Sequence, residues 1–355
     1  MRARIACLPG GGAGPEVMAE AVRVLTSVAC AFGHSFVFVE EKIGLPAFAA
    51  YGTPLSEKAL EACKSADAVL LGAFPQPFSE GGEAAQGFPL LVERLGLYAG
   101  LQRCVIPPAS AGLSPLKEQA GSADLLLVRL LPPSPAPMAE GEAPLDTVSL
   151  PAPPTEQAVR LAFRKARERH RRLACVLLPE LGITARIFEE TVLRAAKDFP
   201  DVLCSFQPAG RCAAELIQSP EKLDVVLCGP LAGDPLSGLL AGLAGGLGLA
   251  HMQLCGDQKP ALYLPIQGEE AHLAGRDTAN PIGMILCAAE MLKASLHLNR
   301  EADCLEMAVK NVLDSGWRTA DMARGGAPRV GTEAIGKLIA EQVDTAGAIM
   351  GALRG

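Results

Sequence analysis

Aromatic side chains are scarce, at 4% of 355 residues with one tryptophan and three tyrosines. The cores must therefore be built from leucine, alanine and valine, drawn from a chain that is 49% hydrophobic. No basic run points to a nucleic-acid partner, and the net charge is −7. The densest cluster, residues 164–172, reads as a solvated helix face, with an anion-binding patch as the alternative. No uncharged apolar run has the length and bulk of a spanning helix. The nearest, residues 236–252, is rich in Gly and Ala and reads as helix and loop, so no membrane contact is expected. The eleven cysteines show neither a CxxC nor a Cys/His zinc spacing. Most, such as Cys7, Cys175 and Cys228, lie in apolar strand-like runs and read as buried thiols of a reducing compartment. No signal-peptide pattern precedes Ile5, so a cytoplasmic location is expected.

What is present is an alternation of strands and helices in a chain long enough for two domains. Residues 4–8 form a short apolar strand, and the glycines of 10–14 turn it into a helix starting near Pro15. Residues 35–40 alternate as a strand should, 56–66 read as a helix capped by Ser56, and 66–72 as a buried strand. This rhythm predicts a mainly parallel sheet covered by helices. Residues 75–87 read as a polar, Gly-rich loop leading to a helix at 89–97. Residues 99–106 read as a crossover and 123–129 as another buried strand. The prolines of 132–154 remove ladder donors, which predicts an extended arm or edge. Beyond it the pattern gives a helix at 155–171 with Thr155 as N-cap, then strands at 173–178, 202–207 and 224–228. Helices are expected at 181–196, 212–218, 234–245, 281–297, 301–315 and 332–343.

The chain is organised around residues 268–284, where Gly268 opens a loop, Ala274-Gly275 turn it, and Asn280-Pro281 close it onto a helix. Pro281 suits the first helical position and Asn280 the N-cap. Glycines let backbone approach a ligand closely, so the stretch is either a loop under a flat ligand such as adenosine or an ordinary helix start.

Two further stretches stand with it in order: residues 8–17, with Gly10, Gly11, Gly12 and Gly14, and residues 316–321 followed by Val330-Gly331-Thr332-Glu333. Together with Ser114-Pro115-Leu116-Lys117 and the strand ending at Arg129, they resemble the β-decarboxylating dehydrogenases of 2-hydroxyacids, most of all the isopropylmalate branch. The resemblance covers nearly the whole chain. It implies an α/β protein with the isopropylmalate dehydrogenase-like fold: two α/β domains, a mainly parallel sheet and a dimerisation arm. Residues 1–97 with 246–355 would form the large cofactor-type domain. Residues 98–245 would form the small domain, with the arm and the helix 234–245 contributing to a dimer.

The implied chemistry oxidises a malate-type substrate and then decarboxylates it. It needs arginines for carboxylates, three aspartates from two subunits for Mg or Mn, a lysine and a tyrosine. Here Asp234 keeps one aspartate position, while Gly238 and Gly210 take the other two and Arg211 adds a charge beside them. Asp234 reads as a structural remnant paired with an arginine or, alternatively, as a metal ligand; Mg or Mn binding is not expected. Glu180 stands at the lysine position, Gly182 at a neighbouring asparagine, and Ser134–Pro137, numbered 134–137, lacks the tyrosine. Arg129 matches one substrate arginine; Gln102 and Val92 replace two others, with Arg103 and Arg94 one and two residues away. Arg129, Arg103 and Arg94 are thus the candidate binders of a small carboxylate. A two-residue shift on a helix rotates a side chain by about 200°, which turns Arg94 elsewhere.

In the cofactor loop Gln267 replaces a histidine, and His272 replaces the aspartate that selects NAD over NADP. Gly268, His272, Leu273, Ala274, Gly275 and Asn280 remain the candidate cofactor-binding residues, for weak binding of NAD or NADP. The expected function is a catalytically silent paralogue acting as a ligand-binding or regulatory subunit, as a homodimer or with an intact homologue. The alternative is an active NAD(P)-dependent 2-hydroxyacid dehydrogenase with an altered, metal-free site, in which Arg129 and Arg103 bind substrate and Glu180 moves protons. The proposed association rests on Ser237, Gly238, Ala241 and Gly242 along one helix face and on Leu236, Leu239, Leu240 and Leu243 beside it.

Overall fold

The computed structural model describes residues 1–74, 82–106, 114, 116, 123–132, 150–323 and 328–352. Most of the expected arm, the missing-tyrosine region and Lys117 lie outside these residues.

The chain starts with β1 (Arg2–Gly10), α1 (Gly14–Phe32), β2 (Ser35–Glu40), α2 (Leu45–Tyr51), α3 (Glu57–Lys64), β3 (Ala68–Ala73) and α4 (Gly87–Arg94). Then come β4 (Leu97–Val105), β5 (Asp124–Leu130), α5 (Ala152–Glu168), β6 (Arg172–Leu177), α6 (Ile183–Ala196), β7 (Leu203–Pro208), α7 (Ala209–Gln218), β8 (Val225–Cys228) and α8 (Pro230–Leu243). The last elements are β9 (His251–Gly256), β10 (Leu262–Pro265), α9 (Ile282–Ala294), α10 (Asn299–Asp314) and α11 (Thr332–Ala352). They form two compact units: residues 1–95, 246–253 and 257–355, and residues 96–245 with 254–256. Among the described residues no helix is long and apolar enough to cross a membrane.

In the first unit β1 pairs in parallel with both β2 and β3, and β10 pairs in parallel with β3. Its core is made by fully buried Ile5, Leu8, Leu25, Leu70, Leu71 and Tyr263. Ser56 caps α3 by accepting from the Ala59 N–H at 3.1 Å.

In the second unit the strand order is β4-β5-β8-β6-β7, antiparallel at β4-β5 and parallel elsewhere. Alternate residues of β5 serve opposite faces. Leu126, Val128 and Leu130 join Phe163, Phe188 and Val192 in one core, whereas Leu125 and Leu127 join Leu216, Leu236 and Leu240 in another. A strand buried on both sides needs no polar alternation, which is why β5 reads as a continuous apolar run.

Three local expectations are corrected. The stretch expected to cross over is the nine-residue strand β4, whose partner β5 runs against it. Helix α5 begins three residues before Thr155, on Pro151 as N-cap with Pro153 and Pro154 in its first turn. Proline suits that turn because it lacks an N–H that would go unpaired there anyway, and Thr155 is buried inside the helix. Helix α8 starts at Pro230 and places Leu236, Leu240 and Leu243 in the unit's own core, with Ser237 and Ala241 also buried. Three of the four leucines expected to face a partner are therefore not available; Gly238 and Gly242 are exposed.

Candidate functional site

The three glycine-marked stretches meet around residues 268–280 in the first unit. The Ala13 N–H, just before α1, donates to the Glu269 carbonyl at 2.9 Å. A Cβ on Gly11 would lie 1.9 Å from Glu269 Oε1, and one on Gly12 2.1 Å from the Glu269 carbonyl oxygen. At Gly12, where the near atom is backbone and φ is +54°, only glycine permits this approach. The Gly275 N–H donates to the Glu16 carboxylate on α1.

At the far end of the loop Asn280 is 3% exposed and uses both ends of its amide. Its Oδ1 accepts from the Ile282 N–H at 3.0 Å and its Nδ2 donates to Asp321 Oδ2 at 3.0 Å. The expected cap is corrected here: Pro281, read as the first helical residue, is the N-cap of α9, and Asn280 stands one residue before it. Asp277, at φ +52°, caps α11 by accepting from the Glu333 N–H at 2.8 Å. Thr332 Oγ1 donates to the Ala279 carbonyl at 2.7 Å. At about 1 kcal/mol net each, these bonds hold the loop from several directions. His272 sits exposed in a short turn with half-buried Leu273, followed by exposed Ala274 and Gly275.

The loop also carries charge that motif reading passed over. Burial pushes the Glu269 carboxyl up, and burial with the nearby Asp321 charge pushes Glu270 up. Among the described residues, the buried atoms Gln267 Oε1 and Thr278 Oγ1 have no hydrogen-bond partner. Two adjacent glutamates inside a glycine-bearing loop were the available signal.

In the second unit Arg129, at the end of β5, pairs through Nη1 with Asp234 Oδ1 at 2.6 Å. A Cβ on Gly233 would meet Arg129 Cβ at 3.2 Å, so the arginine lies close along α8. Its buried Nε has no partner among the described residues. Gln102, where the resemblance places an arginine, is 2% exposed and braces β4 against α8. It accepts from Ser237 Oγ at 2.6 Å and donates to the Ser237 carbonyl at 3.2 Å. Arg103 points to Asp124 at 3.5 Å, and Arg211 pairs with Glu215 on its own helix at 3.1 Å. Glu180 is exposed in the turn Pro179–Leu181. Arg94 belongs to the first unit and pairs with Glu57 at 2.8 Å.

Among the described residues no group of three or more His, Cys, Asp or Glu is placed to hold a metal ion. Asp234 offers one carboxylate, already bonded to a guanidinium, and a hard cation that keeps its waters reluctantly needs more. This donor set does not fit Mg or Mn. The exposed backbone at Ala274 and Gly275 and the unpaired Gln267 Oε1 and Thr278 Oγ1 are the groups here that could hold the uncharged part of a nucleotide.

The family model for isocitrate/isopropylmalate dehydrogenase matches residues 4–339. A 3-isopropylmalate dehydrogenase of Nitratidesulfovibrio vulgaris is 35% identical, covering 97% of this chain and 100% of its own. One of Geobacillus kaustophilus is 36% identical, covering 97% and 95%. Among solved structures, an isocitrate dehydrogenase from Methylococcus capsulatus superposes with TM-score 0.83 at 25% identity, over 96% of this chain and 99% of that one. A beta-decarboxylating dehydrogenase from Thermococcus kodakarensis gives 0.76 at 28%, over 97% and 96%. From its glycine loops to the mainly parallel strands of its two units, this chain belongs to the isocitrate/isopropylmalate dehydrogenase family.

Proposed function

We propose that this chain is a family member silent in metal-dependent oxidative decarboxylation, acting as a ligand-binding or regulatory subunit. The observation that carries this reading is the 2.6 Å pair between Arg129 and Asp234. In it the Asp234 carboxylate is engaged by the guanidinium of the arginine that matches the family position, rather than by a cation, and Arg129 spends Nη1 on that pair. The first unit is the cofactor-type domain in this reading, and Gly268, Gly275 and Asn280 would hold the adenosine end of NAD or NADP, only weakly. When bound, such a cofactor supplies a hydride acceptor. Assembly as a homodimer, or with an intact homologue, belongs to the same proposal.

The second reading is an active NAD(P)-dependent 2-hydroxyacid dehydrogenase using Arg129, Arg103 and Glu180. The near-complete coverage by relatives named 3-isopropylmalate dehydrogenase favours it. One experiment separates the two. Purified protein is incubated with isopropylmalate, isocitrate, malate or tartrate, with NAD or NADP and Mn, and absorbance of reduced cofactor is followed. No turnover is expected; reproducible reduction with any pair would install the second reading.

A further inference from the structure

The Glu269 side chain has no structural task that accounts for it. Its backbone carbonyl already holds the loop to Ala13, yet its carboxylate is pressed against Gly11, on the glycine turn that opens α1. The start of a helix after a glycine turn is where an external anion would be favoured. Here the chain puts its own anion on that turn. No hydrogen bond or ion pair reaches this carboxylate among the described residues, and burial pushes its proton affinity up. A half-buried, unpaired carboxylate costs stability, and such a group set on a candidate ligand loop is a candidate functional group.

We infer that Glu269 sets the charge of the ligand this loop accepts, turning away phosphate-bearing dinucleotides while leaving room for an uncharged nucleoside. The inference rests on the reading of residues 268–280 as a cofactor-type loop. The repulsion between a carboxylate and a pyrophosphate at close range in a partly dry site is strong, whereas adenosine carries no charge to repel. Burial and the Asp321 charge also push the neighbouring Glu270 up, with His272 acting the other way. The unpaired Gln267 Oε1 and Thr278 Oγ1 stay within the same loop as neutral polar groups.

The test is equilibrium binding of NAD and of adenosine to the wild type, Glu269→Gln and Glu269→Ser, with thermal melts confirming that each protein is folded. Glu269→Gln keeps the shape and removes the charge. NAD affinity should rise by about tenfold or more in both variants, with adenosine affinity unchanged within about threefold. If adenosine binds all three proteins but NAD affinity does not move, Glu269 is not the selector, although the loop reading stands. If neither compound binds any of the three, the loop reading falls and this inference with it. Low-micromolar NAD binding by the wild type would overturn the inference directly.

Discussion

The loop at 268–280 and the Arg129–Asp234 pair have diverged from the family by different routes. The loop is specified by glycine positions, a buried asparagine and backbone bonds, and these are in place, with Ala13, Asp321 and Thr332 holding it. The second unit keeps its strands and its apolar faces, while Gln102 stands where the resemblance expects an arginine and Arg129 pairs with Asp234. Backbone shape survives substitution because many weak contacts define it. A site built from four or five charged side chains is lost when two of them change. Gln102 shows how replacement becomes structural: the side chain now braces β4 against α8 through Ser237.

The largest expected effect comes from breaking the loop. Asn280→Ala removes the bonds to Ile282 and Asp321 and leaves the Asp321 carboxylate without its amide partner. A loss of about 3 kcal/mol is expected from chemical denaturation, with the loop amides exchanging faster than the rest of the unit. A loss under about 0.5 kcal/mol would mean that the loop is not held as described.

A smaller effect is expected in the second unit. Asp234 is about half exposed, so Asp234→Ala should cost only about 1 kcal/mol through the unpaired Arg129. The variant should gain a thermal shift with millimolar malate that the wild type lacks. Equal shifts in both proteins would show that Asp234 does not compete for the arginine.

The smallest difference separates the units by pH. In the first unit burial raises Glu20, Glu269 and Glu270. A raised carboxylate destabilises the fold fully above its folded pKa, and that cost is relieved as pH falls toward the ordinary value near about 4. In the second unit burial would raise Asp124, but the bonds and charges of Arg169 and Arg103 prevail and hold it low, and Arg167 does the same for Asp201. Their contribution is present above the ordinary carboxylate pKa and is lost as pH falls through the lower folded values. Hydrogen exchange from neutral pH down to about 4 should show protection in the first unit holding or rising, and below that the second unit weakening first. The opposite order would contradict the assignment.

Much of this was legible in local pattern. Strand β2 and the Ser56 cap each follow from a few adjacent residues, whereas the start of α9 falls one residue later than the Asn280-Pro281 pair suggests. The other errors are places where distant chain decides. Residues 97–105 pair with β5, which begins nineteen positions beyond their end, and no periodicity within the stretch announces that partner. Asp277 and Asp321 read as ordinary loop aspartates because the groups they hold lie 56 and 41 residues away. The leucines of α8 show the right spacing for an exposed seam, but spacing alone does not say which side of a helix its own core claims.

A Cβ added at Gly210 or at Gly238 would meet nothing within 4 Å. The fold thus imposes no steric bar on the aspartates that the resemblance places there, and neither glycine is demanded by packing. Glycine and aspartate codons can differ by one nucleotide, so a carboxylate at either position is one substitution away. At these two positions the chain departs from the resembling pattern in side-chain identity alone, with the architecture around them open to either residue.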